Sequence, residues 1–286
     1  MADERLRGSI KMSRLVERTV GWALLIGLST LFALPLVITL SDSLKSFHEI
    51  YEVPRVWIPT PPRFGNFVRI FEFLPFHRFI LNTFCITGLA LFGRVLSGCI
   101  VGYSFARLRW PFRDFLFVVL LCTIMLPPEI TLIPMFILFN KIGWVNTWLP
   151  LIVPSYFGGG VFNVFLMRQF FKTIPLSLED AAKIDGCSTL RIFLQIMMPL
   201  SKPAVATICV LGFIGCWNDF QGPLIYLSDY LKYPISMGIY MFKSAEFMFA
   251  NYVMAASLIA VVPVVVIFFS AQQYFVKGIV LTGIKG

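Results

Sequence analysis

Between residues 178 and 203 the chain reads LEDAAKIDGCSTLRIFLQIMMPLSKP, a polar stretch set between two strongly apolar ones. Glu179, Asp180 and Asp185 supply carboxylates, Lys183, Arg191 and Lys202 supply cations, and Ala181, Ala182 and Gly186 are small. No nucleophile stands beside a base here, so bond-making chemistry is not what the set offers. It offers contact: acids that seek cations on another surface, and small side chains that let another backbone come close.

Other signs of chemistry are thin. His48 and His77 lie far in sequence from the six cysteines (85, 99, 122, 187, 209, 216), which form no CxxC pair and fall mostly in apolar runs. They read as small apolar fillers rather than metal ligands or disulfides. No G-x-x-x-x-G-K-[ST] phosphate loop occurs. The glycine-rich YFGGGVF at 156–162 lacks the lysine and marks close helix packing or a break in a helix.

The polar stretch implies two short helices. Ser177 followed by Asp180 resembles a capping arrangement, which predicts a helix from Leu178 with Glu179 and Asp180 in its first turn, where the helix dipole favours carboxylates. Gly186 is the expected stop. A second helix is predicted from Ser188 or Thr189, with Leu190, Phe193, Leu194, Met197 and Met198 on one apolar face. Pro199 and Pro203 limit its continuation. The two adjacent alanines would present a small flat patch.

The surroundings of this element fix its setting. Of 286 residues, 58% are hydrophobic and 14% charged, and the mean hydropathy is +0.81. Such a chain cannot hide its apolar surface in one water-soluble core, which predicts an all-α polytopic membrane protein. Six segments are long enough to span: 19–40, 79–105, 115–139, 148–167, 204–221 and 253–276. The first is too long for a signal core and lacks a small-x-small cleavage site, so it reads as an uncleaved helix. The formal charge of +9 reads as span-flanking cations rather than a nucleic-acid surface. With the N-terminus inside, the inner segments hold 15 of the 24 Lys and Arg and the outer segments 8, five of these in the basic 41–78 loop, with Arg94 inside a span; the excess predicts both termini in the cytoplasm. That orientation places residues 168–203 on the cytoplasmic side and the proline-rich PRVWIPTPPRFGNF outside.

Polar residues at membrane depth are costly and tend to face a cavity or a partner. Asn82, Asn163, Asn218 and Asp219, with Tyr156 and Trp217 nearby, could line a solute pathway or tie helices together. Pro127-Pro128 falls mid-span and predicts a kink that could border a gate. Arg94 lies roughly 18 Å from the inner end of its helix and Glu129 roughly 21 Å from the start of its own, at the helical rise per residue. The matched depths predict an Arg94–Glu129 ion pair between spans two and three.

The order Asp180-Ala181-Ala182, three residues, Gly186, nine residues, Ile196-Met197-Met198-Pro199 resembles the Glu-Ala-Ala loop of ABC-importer permeases. Asp180 stands where that loop has glutamate and Met198 where it has leucine. GWVNTWLPLIVP (143–154), FLMRQFFKTIP (165–175) and GCWNDFQGPLIYL (215–227) resemble the smaller, maltose-type permease subunit of sugar importers. The resemblance implies a MetI-like core of five spans over 79–286, behind a tail at 1–18 and a first helix with its outer loop at 19–78. It implies that the 168–203 loop docks on a cytoplasmic ATPase through Glu179, Asp180, Ala181, Ala182, Asp185 and Gly186, flanked by Arg168 and Lys172. It also implies a bacterial inner-membrane location, a second permease, two ATPase subunits that bind ATP and Mg²⁺, and an extracytoplasmic sugar-binding protein. The last would be met by the 221–251 loop with Tyr226, Tyr230, Tyr233 and Tyr240. The chain itself is expected to hold no cofactor and to catalyse nothing. The rivals are an ion-gradient-driven transporter, for which Glu129 and Asp219 are the obvious carboxylates, and a membrane-embedded enzyme, for which no constellation is found.

Overall fold

The computed structural model describes residues 2–243 and 249–282, and the side chains of 16–243 and 249–272. Most side chains of the expected 1–18 tail, and part of the 221–251 loop, lie outside the described residues. In chain order the main helices are α1 (Ala2–Ser43), α2 (Gly65–Phe73), α3 (Phe76–Arg107), α4 (Arg113–Cys122), α5 (Pro128–Lys141), α6 (Val161–Thr173), α7 (Leu176–Ile184), α8 (Thr189–Leu200), α9 (Lys202–Trp217), α10 (Gln221–Tyr226), α11 (Ile235–Lys243) and α12 (Ala250–Thr282). Among the described residues there is no strand.

The expected all-α membrane architecture is what the chain adopts. Among the described residues four stretches are long and apolar enough to cross a bilayer: Val16–Ser43, Phe76–Arg107, Leu149–Thr173 and Ala250–Gln272. Two further spans are bent pairs, α4 with α5 at 99° and α8 with α9 at 77°. The first bend falls at Pro127-Pro128. Pro127 leaves the helix in an extended conformation, and Pro128, which has no N–H to lose, opens α5. The expected kink is thus a near right-angle turn, and the segment 115–139 is not one rod. The expected segment 204–221 overruns its helix: α9 ends at Trp217, and residues 218–220 leave it.

Helix α3 is the central rod, packed against α6 and α9, while α1 lies along α12. Small residues make its closest approach possible. At Gly102 a side chain would meet Met167 Cβ of α6 at 2.6 Å. At Gly159, where φ is +63°, it would strike the Arg94 carbonyl and Ser97 Oγ of α3. YFGGGVF therefore both breaks the fourth span, between a turn at Val153–Tyr156 and α6, and seats that break on α3.

Two apolar clusters hold the ends. Tyr103, Met167, Phe171, Ala182, Ile192, Phe193 and Met197 close the end that carries α7 and α8. Ile70, Phe76, Phe79, Phe213, Trp217, Phe242 and Tyr252 close the other. Past α1 the chain is pinned by buried polar contacts. Asp42 accepts from Lys45 Nζ and Arg55 Nη2, each at 2.7 Å, and the Asn66 amide donates to the Ser43 and Lys45 carbonyls. The most apolar window of α1 itself has no buried residue, so that helix presents its surface outward.

Candidate functional site

Helix α7 starts two residues before the position expected from sequence. Pro175 occupies its N-cap without a side-chain bond, so Ser177 and Asp180 cap nothing. Gly186 ends the turn with φ +76°, a conformation glycine adopts without a Cβ clash. The Gly186 and Cys187 amides donate back to the Lys183 and Ala182 carbonyls at 3.0 and 2.9 Å. Ser188 Oγ then caps α8 on the Arg191 amide.

Neighbouring residues of a helix point about 100° apart, and this divides the acidic and alanine pairs. Ala182 is buried in the apolar cluster and Ala181 is exposed, so the flat two-alanine patch does not form. Glu179 is buried and Asp180 exposed. Glu179 Oε1 lies 3.1 Å from Arg107 Nε. The N–H is not aimed at the oxygen, so the contact is Coulombic rather than a hydrogen bond. Arg107 Nη2 donates to the carbonyls of Phe171, at 2.5 Å, and Ile174. One guanidinium thus joins the ends of α3 and α6 to α7.

The exposed side of the element carries Asp180, Ala181, Asp185 and Gly186, with Leu176, Ile184 and Leu190 beside them. Ile184 is 86% exposed. In α8 a π-helical turn at Phe193–Met197 shifts the phase of the apolar face. Ile192, Phe193 and Met197 are buried while Leu190 and Leu194 face out, in place of the expected regular stripe. Arg168 does not flank this surface. It is buried, donates to the Phe105 carbonyl at 3.3 Å, lies 3.9 Å over the Phe117 ring and reaches Asp114 at 3.5 Å. Lys172 is exposed.

The polar groups at mid-depth divide in the same way. Asn82 donates to the Leu231 and Tyr233 carbonyls, at 2.9 Å each. Asn163 donates to the Gly159 carbonyl at 2.5 Å. Trp217 is 2% exposed and donates from Nε1 to the Ala260 carbonyl at 2.9 Å. Asn82 and Trp217 thus tie separate segments together, while Asn163 bonds within its own segment. Asn218 is exposed and bonded to its own helix at Ile214. Tyr156 sits over Gly93 on α3. Asp219 Oδ1 accepts from the Gly222 amide at 3.1 Å and borders a cavity of about 210 Å³ shared with Arg94, Thr87, Ile86, Leu151 and Cys216.

Arg94 and Glu129 form no ion pair within 4.0 Å, and the expectation of one is corrected. The depth argument assumed a continuous helix from residue 115. The turn at Pro127 resets the direction of the chain and leaves Glu129 exposed in the first turn of α5. Arg94 instead points toward α9, its Nη1 lying 3.7 Å from where a Gly215 side chain would begin.

At the opposite end of the bundle Asn146, with φ +63°, joins two of the sequence segments singled out above. Its amide donates to the Tyr226 carbonyl at 2.7 Å, and its Oδ1 accepts from the Ser228 and Asp229 amides. Lys232 Nζ donates to the Asn146 carbonyl at 2.8 Å, and Trp148 Nε1 to that of Lys232 at 3.0 Å.

The chain is thus a membrane-spanning bundle with an exposed helix–glycine–helix element between two spans. Residues 94–280 match the family described as "Binding-protein-dependent transport system inner membrane component". The chain belongs to this family. It is a multi-pass inner-membrane component of a transport system. The permease is 31% identical over 285 residues to the arabinooligosaccharides transport system permease protein AraQ of Halalkalibacterium halodurans, covering 96% of this chain and all of that protein. It is also 31% identical over 255 residues to the melibiose/raffinose/stachyose import permease protein MelC of Bacillus subtilis, covering 88% and 91%. Its fold is shared with a chain of a bacterial ABC transporter that imports the acidic polysaccharide alginate, with TM-score 0.78, 24% identity and coverage of 92% and 98%.

Three polar residues that organise the permease were not singled out from sequence as site residues: Arg107, Asp114 and Asn146. Arg107 reads as one more span-flanking cation. Its partners are 64 to 72 positions away, and no local periodicity connects them. Asn146 carries a weak signal, as a polar residue within GWVNTWLPLIVP beside Gly143.

Proposed function

We propose that this permease forms one half of the translocation pathway of an ATP-driven importer for a carbohydrate, a di- or oligosaccharide. Both termini lie in the cytoplasm, and the loop 168–203 within the core 79–286 docks on an ATPase subunit. A second permease completes the pathway, two ATPase subunits bind ATP and Mg²⁺, and an extracytoplasmic binding protein delivers the sugar. The chain itself holds no nucleotide or metal and does no catalysis. Full-length similarity to permeases named for arabinooligosaccharides and for melibiose, raffinose and stachyose is what carries the sugar class.

Mechanism follows from the α7–α8 element. Asp180, Ala181, Asp185 and Gly186, with Leu176, Ile184 and Leu190, present an apolar surface with an acidic edge, suited to a groove edged by cations. Glu179 and Ala182 face inward and fasten the element to α3 and α6. A push on the outer face is therefore delivered through Arg107 to the central rod. Asp219 and Tyr156 are the pathway contacts of this chain, and the turn at Pro127-Pro128 borders the gate.

The test is co-purification of the complete transporter, reconstitution in vesicles, and uptake of labelled sugar supplied on the binding protein. Uptake that needs internal ATP and survives a proton uncoupler supports the reading. Uptake abolished by the uncoupler and indifferent to ATP overturns it in favour of an ion-driven transporter.

A further inference from the structure

Among the described residues, Arg94 makes no hydrogen bond and no ion pair within 4.0 Å. It sits midway along α3, where an unpaired charge in hydrocarbon is costly, and it borders the cavity between α3 and the end of α9. The Asp219 carboxylate lines the same cavity, its Oδ1 accepting from the Gly222 amide at 3.1 Å. A second, independent orphan lines the same space. Thr87 is 1% exposed, and its Oγ1 has no hydrogen-bond partner, although a threonine in a helix commonly bonds back to a carbonyl one turn earlier. Its neighbour Thr83 shows that habit, donating to Phe79 and accepting from Ile235. The remaining wall includes Ile86 and Leu151.

We propose that this cavity is a subsite for one neutral sugar ring, with Arg94 donating to ring hydroxyl oxygens, Asp219 accepting hydroxyl protons, and Thr87 completing the rim. The proposal rests on the carbohydrate-importer reading and adds to it a place and a charge class. A pyranose has hydroxyls around its edge and C–H groups on its faces, and this cavity has the matching division between polar groups and aliphatic wall. At about 210 Å³ it is smaller than the roughly 300–1,000 Å³ of a typical ligand site, so it holds a ring rather than an oligosaccharide. One guanidinium and one carboxylate cancel in net charge, which gives an acidic sugar no advantage over a neutral one. Hydroxyls serve both groups at once, and a site built to bond hydroxyls leaves buried polar groups unpaired when they are missing.

Cys216 lines the cavity and provides the reporter. The intact transporter is reconstituted in nanodiscs with the other five cysteines of this chain replaced by alanine and with partner subunits free of reactive thiols. The rate of Cys216 modification by 2-aminoethyl methanethiosulfonate is then measured with D-glucose, D-galactose, D-mannose or D-xylose, and with D-glucuronate at matched ionic strength. The expected result is several-fold slowing by at least one neutral sugar and none by glucuronate. Thr87→Val, which keeps the side-chain shape, and Asp219→Asn should each weaken that protection, and Arg94→Gln should abolish it. An unreactive Cys216, no slowing by any neutral sugar, stronger protection by glucuronate, or protection that survives all three substitutions overturns the subsite. ATP hydrolysis stimulated by the loaded binding protein is measured in the same discs. Its absence counts against the importer reading, whereas no protection by any neutral sugar of the chain with Arg94, Thr87 and Asp219 intact, alongside normal stimulation, counts against the subsite alone.

Discussion

Arg107 Nε at the end of α3 lies 3.1 Å from Glu179 Oε1 in α7, and both side chains are 4% exposed. The same guanidinium donates to the carbonyls that end α6. Removing one member of a buried pair leaves the other charge unpaired, at a cost of about 3–5 kcal/mol, whereas replacing both by apolar groups is often close to neutral. Arg107→Ala is therefore expected to lower the thermal stability of the purified permease sharply and Glu179→Gln less so, since glutamine keeps the shape. The joint Arg107→Met, Glu179→Leu chain should recover part of the loss. A double change as damaging as the two singles added together would show that the pair is not coupled.

The split between Ala181 and Ala182 separates folding from docking. Ala182 is packed among Phe171, Ile192 and Met197, so Ala182→Phe overpacks the cluster and is expected to cost about 1–3 kcal/mol or more of stability. Ala181→Trp projects outward and should leave stability within about 0.5 kcal/mol, as surface changes usually do. Under the docking reading it should nonetheless stop sugar-stimulated ATP hydrolysis in the assembled transporter. Melting curves and hydrolysis rates on the same preparations distinguish the two. Equal effects of the two substitutions on stability would contradict the assigned faces.

Gly186 offers a graded version of the same test. A Cβ there meets nothing within 4 Å, so alanine adds only the strain of φ +76°, about 1–2 kcal/mol. Gly186→Ala should insert, assemble and transport at reduced stability. Gly186→Trp adds bulk on the exposed side, and it is expected to assemble poorly with the ATPase or to hydrolyse ATP without moving solute. Normal uptake by the tryptophan variant would remove this turn from the docking surface.

Much of this was legible in the residues, and the rest for definite reasons was not. Hydropathy located the spans because burial in lipid acts on every residue of a segment. Gly186, Ser188 and Pro127-Pro128 marked their turns because each acts through its own backbone. What failed required knowing which way a helix faces. Glu179 and Ala182 match the partner-contact motif in sequence, yet both point inward. Arg168 stands near the docking loop in sequence, yet its side chain pairs with Asp114 and lies over Phe117. The Arg94–Glu129 pair assumed a straight helix through a proline turn of 99°. Arg107 gave no local sign, because its partners come from α6 and α7, brought together only by the fold.

Asn146 holds the opposite end of the bundle by accepting from Ser228 and Asp229 while its backbone bonds Tyr226 and Lys232. Asn146→Ala removes the side-chain acceptor and leaves a residue less tolerant of φ +63°. Hydrogen exchange at the amides of 227–232 is expected to accelerate by about tenfold or more, equivalent to about 1.4 kcal/mol, with exchange in α7 unchanged. Uniform acceleration along the chain would instead mean global destabilisation and would reject a local clasp.

Glu129 supplies the test of a negative. It is exposed at the start of α5 and has no cation within 4.0 Å, while Arg94 points toward α9 and Asp219. Glu129→Gln should then leave the surroundings of Arg94 unchanged. Asp219→Asn removes the carboxylate that faces Arg94 across the cavity, along with one strong acceptor for the Gly222 amide, and is expected to be the more destabilising of the two. If Glu129→Gln proves the worse, Arg94 depends on Glu129 in the working protein, and the right-angle turn at Pro127 is not the arrangement in which it functions.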